Sequence, residues 1–289
     1  MYNVCVYIRM QRDFVYRSAN SELSAATDVV FVSETEMGVS YMNGVFEIVD
    51  IDTRKCIQTH KFEHPVTGLA YHDGLIVVQL KSHTVECYQI CDGWTLKWSF
   101  PCELAVTFSK PIIRNIHATP VCYFVESSSK LVCVELNSGR MHKIFQTPQN
   151  VKGINLAMCH TDKGIAILYE SNQVVHINDD GNLHVETALL SSTLSCVPTA
   201  IQSVNGTIWV GYSEGKVVEL SGIAVCSIEE TGIGAIAKNG LIGCWDGTLH
   251  QPETLSPHLG SAIRQISVSS NYVAVASSDG RVSTFLMPS

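Results

Sequence analysis

The sequence has no C-x-x-C pair. Its eleven cysteines are scattered singly, the closest two, Cys87 and Cys91, standing four apart. An odd count without framework spacing excludes a disulfide scaffold and predicts reduced, mostly buried thiols of a cytoplasmic or nuclear protein. Charge is also sparse: charged residues make up 16% of the chain and the net charge is -8. Phosphate binding needs a Lys/Arg footprint and no basic run exists, so nucleic acid is excluded as a partner and a protein is expected. No apolar run approaches the roughly 20 residues of a membrane helix, so no membrane association is expected. The opening MYNVCVYIRMQRD is too short and too interrupted by charge to read as a signal peptide.

Catalytic punctuation is missing as well. There is no Walker loop, H-E-x-x-H or G-x-S-x-G. Cys159-His160 is adjacent rather than at ligand spacing, so no metal is expected. Gly232 to Ala237, GIGAIA, fits the dinucleotide fingerprint, but that motif works only between a strand and a helix. Here Lys238-Asn239-Gly240 follows at once and ends any helix. No cofactor and no catalytic residue are expected.

What remains is strand. No window keeps i, i+3, i+4, i+7 apolar spacing for three turns, whereas short β-branched and aromatic runs bounded by Gly, Asn, Asp or Ser recur throughout. SYMNGVFEIVD, GYSEGKVVEL, GCWDGTLHQ and ASSDGRVSTFL share one grammar: strand, polar turn ending in Gly, strand. Asn-Gly and Asp-Gly close hairpins because both central residues reach φ > 0. Strands after these turns start near residues 45, 84, 130, 173, 216, 248 and 281, at spacings of 39, 46, 43, 43, 32 and 33. A period near 40 with four strands per unit predicts a β-propeller. Residues 1–289 are therefore read as one all-β domain of seven blades. These run near 21–62, 63–100, 101–148, 149–190, 191–229, 230–257 and 258–289. The last has three strands, so its fourth comes from Asn3–Arg9 or Asp13–Ser18 and closes the ring.

The seventh unit comes closest to a WD repeat. His258 stands at the Gly-His position, Ser277-x-Asp279-Gly280 at the turn, and Phe285 where the Trp would be. Such a set satisfies buried donors and locks the blade, so its expected role is structural rather than catalytic. The chain's one Trp-Asp pair, Trp245-Asp246, is placed in the hairpin turn between the second and third strands of blade six, with Asp246 equivalent to Asp279.

Four stretches carry a family resemblance: QRDFVYRSAN, NGVFEIVDIDTRKCIQTHKFEH, GIGAIAKNGLIGCWDGTLH and GSAIRQISVSSNYVAVASSDGRVSTFL. They resemble the closure strand, first blade end, late Trp-Asp turn and final blade of a family of degenerate WD propellers. This is the guanine nucleotide-binding protein subunit beta-like protein 1 family, whose fungal counterpart is a WD-repeat subunit of the ASTRA complex. Cys244 replaces the glycine before the Trp, and blades three to five lack WD features. The resemblance implies a non-enzymatic scaffold working with the Tel–Tti co-chaperone complex in the maturation and stability of phosphatidylinositol 3-kinase-related kinases. A monomeric propeller within a complex is expected.

Propeller function sits on the loops of the two faces and on the channel mouth. Exposed aromatics beside charge are the best protein anchors. Trp245 with Asp246 leads, and Tyr212 with Glu214 extends the patch on the same face. Glu34 and Glu36 with Tyr41 and Asn43 form a weaker candidate in blade one, and Trp94 and Trp98 are expected to pack under an edge. Two other readings stay open: a general adaptor such as a ubiquitin-ligase substrate receptor, and a propeller hydrolase or lyase with a channel site.

Overall fold

The computed structural model describes residues 12–19, 24–91, 93–103, 109–187, 198–204, 207–212, 217–219, 231–236, 241–246, 253–254, 263–269 and 271–286. Among them every regular element is a β-strand, arranged as seven antiparallel sheets. The first strand, β1, spans Arg12–Arg17. Blade one is β2–β5 (Ala26–Phe31, Glu36–Tyr41, Val45–Asp50, Lys55–Lys61) and blade two is β6–β9 (Val66–His72, Leu75–Leu80, Thr84–Gln89, Thr95–Pro101). Blade three is β10–β13 (Ile112–Ile116, Thr119–Ser127, Lys130–Glu135, Met141–Gln146). Blade four is β14–β17 (Asn155–Thr161, Gly164–Tyr169, Gln173–Asn178, Leu183–Thr187). Blade five is β18–β20 (Pro198–Val204, Thr207–Tyr212, Val217–Glu219) and blade six is β21–β23 (Thr231–Ile236, Leu241–Asp246, Glu253–Thr254). Blade seven is β24–β26 (Ile263–Val268, Tyr272–Ser277, Arg281–Leu286), with β1 paired to β26 as its outermost strand. The chain is an all-β, seven-bladed propeller, and of the two candidate closing strands it uses the second.

Among the described residues, apolar cores lie at the seams between neighbouring blades. Phe46 and Ile48 of blade one meet Leu69, Ile76 and Val78 of blade two. Val77 and Trp98 of blade two meet Phe124 and Val132 of blade three, and Tyr123 and Cys133 of blade three meet Ile165 and Ile167 of blade four. A further core joins Val29 and Val39 of blade one to Ala274 and Val282 of blade seven. A middle strand is thus buried on both faces, which is why LIVVQL of β7 and GIAILY of β15 are buried at every position. The outer β5, by contrast, alternates between exposed and half-buried positions. Burying each such apolar side chain stabilises by about 1.5–3 kcal/mol, and the seams, not the individual sheets, collect that energy.

Two irregularities recur. The innermost strand carries a one-residue bulge after its first residue in blades one, two, four, five and seven, as between Ala26 and Asp28 or Val66 and Gly68. The outer strands of blades one to three carry a second, at Ile57, Lys97 and His142. Bulges twist an edge away from other chains, which is one way an exposed outer strand avoids pairing with a neighbour.

Among the described turns, positive-φ positions are filled by glycine in some and by other residues, such as Arg54 and His83, elsewhere. Asp73 and Gly74 close the β6–β7 hairpin at φ 45° and 76°. In the equivalent β10–β11 hairpin His117 and Ala118 adopt φ 46° and 67° without a glycine. A Cβ in that region is strained, so Ala118→Gly is expected to stabilise the protein by about 0.5–1 kcal/mol. Thermal unfolding checks this, and a drop in midpoint refutes it.

Candidate interaction surface

An antiparallel meander puts the first–second and third–fourth hairpins of every blade on one face and the second–third hairpins on the other. Of the leading sequence candidates, Trp245, Asp246 and Tyr212 lie at strand ends toward that second face and not in turns. Trp245 and Asp246 are the last two residues of strand β22, paired with Gly232 and Thr231 of β21. The third strand of blade six is described over Glu253–Thr254, paired with Cys244 and Gly243, and residues 247–252 lie outside the described residues. Asp246 opposes the first residue of its inner strand, as Ser277 opposes Ile263, so its equivalent in blade seven is Ser277 and not Asp279.

Tyr212 likewise ends β19 opposite Pro198, which makes it the blade-five equivalent of Asp246. The two positions share a face on adjacent blades, while Glu214 lies outside the described residues. In blades one and four the same strand position is filled by Tyr41 and Tyr169, both buried. The position before it is Ser40, Leu168 and Ala276 in blades one, four and seven, each buried too. Trp245 therefore lies within strand β22 and not on a loop tip. GIGAIA resolves in the same way: Gly232 to Ile236 run along β21, in a sheet rather than at a strand-to-helix turn.

The weaker blade-one candidate comes apart. Glu34 and Glu36 sit at the start of β3 and Tyr41 and Asn43 at its end, so they occupy opposite faces, and Tyr41 is fully buried. Trp98 packs as expected. It is buried on the neighbouring blade, its Nε1 donating to the Leu136 carbonyl at 2.7 Å, and its side chain lies where any Cβ on Gly139 would sit. Trp94 stacks on His60 at 4.1 Å between ring centroids, with Phe62 and Tyr88 edge-on around it, sealing the rim between blades one and two.

Of the WD-type set, His258 lies outside the described residues. Ser277 and Phe285 are buried, and Asp279 is half-buried and ion-paired to Arg281 across the tight turn, where Oδ1 also accepts the Arg281 amide. The polar contacts between blades that the sequence reading missed are larger. Asp28, at the first bulge of blade one, accepts the Val29 amide at 2.8 Å and the Leu69 amide of blade two at 2.7 Å, with Lys110 Nζ at 3.7 Å. Burial raises its carboxyl above the ordinary range, opposed by Lys110 and the two amides. Glu47 of β4 is completely buried and accepts from Tyr16 Oη at 2.9 Å and Ser18 Oγ at 2.7 Å, both next to or within the closing strand. Burial, then the Glu47 charge, pushes the Tyr16 phenol up.

Arg114 of β10 crosses to blade four. Its guanidinium forks onto Asp179 with two bonds of 2.8 Å and donates to the carbonyls of Thr161 and Asp162. No local motif marks these residues. An acidic residue buried in the middle of an apolar strand run, as Glu47 is in VFEIVD, was the one available signal.

The seven described cysteines are all free thiols, and Cys87, Cys122, Cys133 and Cys159 are buried. Among the described residues no group of three His, Cys, Asp or Glu side chains could hold a metal ion. No helix among them is long and apolar enough to cross a membrane.

The sequence matches no family model and no curated protein. Its fold does have solved counterparts. Raptor from Chaetomium thermophilum superposes with a TM-score of 0.70 at 9% identity, over 97% of this chain and 29% of that one. The chain thus spans less than a third of that much longer protein. The computationally designed Ika8 protein (TM-score 0.63, 18% identity) is covered over 98% of its length by 93% of this chain. BamB from Moraxella catarrhalis (TM-score 0.63, 13% identity) is covered over 98% of its length by 97% of this chain. At these identities the likeness is one of fold, and the shared fold is the propeller.

Proposed function

We propose that this protein is a non-enzymatic protein-interaction scaffold. Its specific task, in this reading, is to work with the Tel–Tti co-chaperone complex in maturing phosphatidylinositol 3-kinase-related kinases in the cytoplasm or nucleus. The observation that carries the general part is the use of charge in the ring. Asp28, Glu47 and Arg114 join one blade to the next, so the buried polar groups serve to hold loops in fixed relative positions. A rigid ring with loops on two faces serves simultaneous docking of partners without any bond being made or broken. The specific part rests on the resemblance of the four stretches named above.

On this reading the partner-binding face is that of the second–third hairpins of blades five and six, where β19 and β22 end at Tyr212 and Asp246. The test is affinity purification of the tagged full chain from its own cells, read by mass spectrometry, with Trp245→Ala and Glu214→Lys in parallel. Circular dichroism and thermal unfolding establish that each variant is folded, which matters for Trp245 because it sits within a strand. Tel–Tti components or large kinases are expected with the wild type and are expected to be depleted with Glu214→Lys. Recovery of cullin adaptors or an unrelated complex instead refutes the kinase-maturation role.

A further inference from the structure

We propose that the outer rim between blades two and three is a docking surface for an acidic amphipathic helix of a partner protein. Strand register builds the surface. Met141 and Ile144 of β13 stand three apart in sequence, a spacing that in a regular strand points two side chains to opposite faces. The bulge at His142 removes that difference, so that Met141 opposes Val134 and Ile144 opposes Val132. Both valines belong to the apolar core shared with blade two, and directly opposed residues share a face. Met141 and Ile144 therefore both turn toward blade two, and they are 48% and 45% exposed.

From the other side of the seam comes Phe100 of β9, half-buried and edge-on to Trp98 at 5.8 Å between ring centroids. Scattered apolar exposure is ordinary. Two large side chains aligned on one strand beside a half-open aromatic ring form a patch, and patches mark contact surfaces.

Charge names the occupant. The outer strands that flank this seam read TLKWSFP and MHKIFQ; they carry Lys97, His142 and Lys143 and no Asp or Glu, in a chain of net charge -8. Lys97 Nζ donates to the neutral Gln89 Oε1 at 3.4 Å, and Lys143 Nζ, on the far side of β13, donates to the Asp180 carbonyl at 3.3 Å. Neither ammonium is met by a carboxylate among the described residues, whereas Arg140 is matched by Glu135. Apolar anchors beside unmatched cations are complementary to an acidic amphipathic segment. The backbone selects its form. Bulges at Lys97 and His142 interrupt both outer strands, which disfavours addition of a partner strand. A helix has already satisfied its own backbone groups and needs only side-chain contact and charge. This surface lies on the circumference, apart from the face of the second–third hairpins, and does not rest on the function proposed above.

The probe is a short fluorescein-labelled peptide of Glu and Leu, with Leu at i, i+3, i+4 and i+7, titrated with the purified full chain and followed by fluorescence anisotropy. A second peptide carries Lys in place of Glu. The variants are Met141→Ser with Ile144→Ser, Lys97→Glu with His142→Glu, and Glu214→Lys on the other face. All the rim substitutions fall on exposed side chains, and circular dichroism verifies each fold. Saturable binding of the acidic peptide is expected, about tenfold weaker in each rim double variant and unchanged in Glu214→Lys, with no binding of the lysine peptide. Equal affinity across the variants, or no saturable binding, overturns the proposal. So does a loss confined to Glu214→Lys, which would move the helix to the other face. Binding to phosphatidylserine vesicles in place of the peptide, lost in the rim variants, would assign the patch to a membrane and overturns it as well.

Discussion

Glu47→Ala is expected to lower stability by about 3–5 kcal/mol, because two buried hydrogen bonds to a charged group are lost at once. The residue lies in blade one, while Tyr16 and Ser18 belong to the segment that completes blade seven. The variant therefore weakens the closure of the ring and not only one sheet. In a chain of this size the expected fall in the thermal midpoint is on the order of 10 °C. Tyr16→Phe and Ser18→Ala each remove one of the two bonds and are expected to cost about 1–3 kcal/mol. Limited proteolysis gives the location: cleavage of Glu47→Ala is expected first around residues 12–19, ahead of global unfolding. A midpoint within 2 °C of wild type, or first cleavage elsewhere, refutes the assignment of Glu47 to closure.

Arg114→Ala comes next, at about 2–4 kcal/mol. The guanidinium makes four hydrogen bonds to blade four, two of them to one carboxylate. The upper bound on summed bond energies is higher, but Asp179 is about a third exposed and regains water when its partner leaves. The telling control is Arg114→Lys. A single ammonium cannot fork across both carboxylate oxygens and still reach two carbonyls, so Lys is expected to recover less than half of the loss. Chemical denaturation of the three proteins decides it. If Lys restores wild-type stability, charge rather than fork geometry holds the seam.

The ring architecture was legible in the sequence because hairpin turns are local. Asn43-Gly44, Ser129 before Lys130 and Asp279-Gly280 mark where third strands begin, and β4, β8, β12, β16 and β26 start at the residues the turn grammar predicts. Blade six went wrong for the same local reason. Asp246-Gly247 has the chemistry of a tight turn, yet Trp245 and Asp246 stay paired with Gly232 and Thr231 of β21. Dipeptide propensity was outweighed by sheet pairing.

The polar joints between blades were not legible because they pair residues far apart in sequence. Asp28 with Leu69, Tyr16 with Glu47 and Arg114 with Asp179 are joined only by the ring. The exposed or buried state of an anchor such as Tyr41 depends on which blade covers it, which no single repeat encodes.

The pairing of β1 with β26 also sets an order in time. Arg17 opposes Arg281, so β1 must wait for β26 to be made before it can pair. Until then blade seven lacks its outer strand, Glu47 lacks Tyr16, and every other seam is free to form by nearest-neighbour packing. Closure is the step with the longest sequence separation, hence the largest loop entropy to overcome and the slowest to arrive. A nascent chain halted short of residue 281 therefore holds β1 without its β26 partner. That strand is the segment a chaperone acting during synthesis would have to shield.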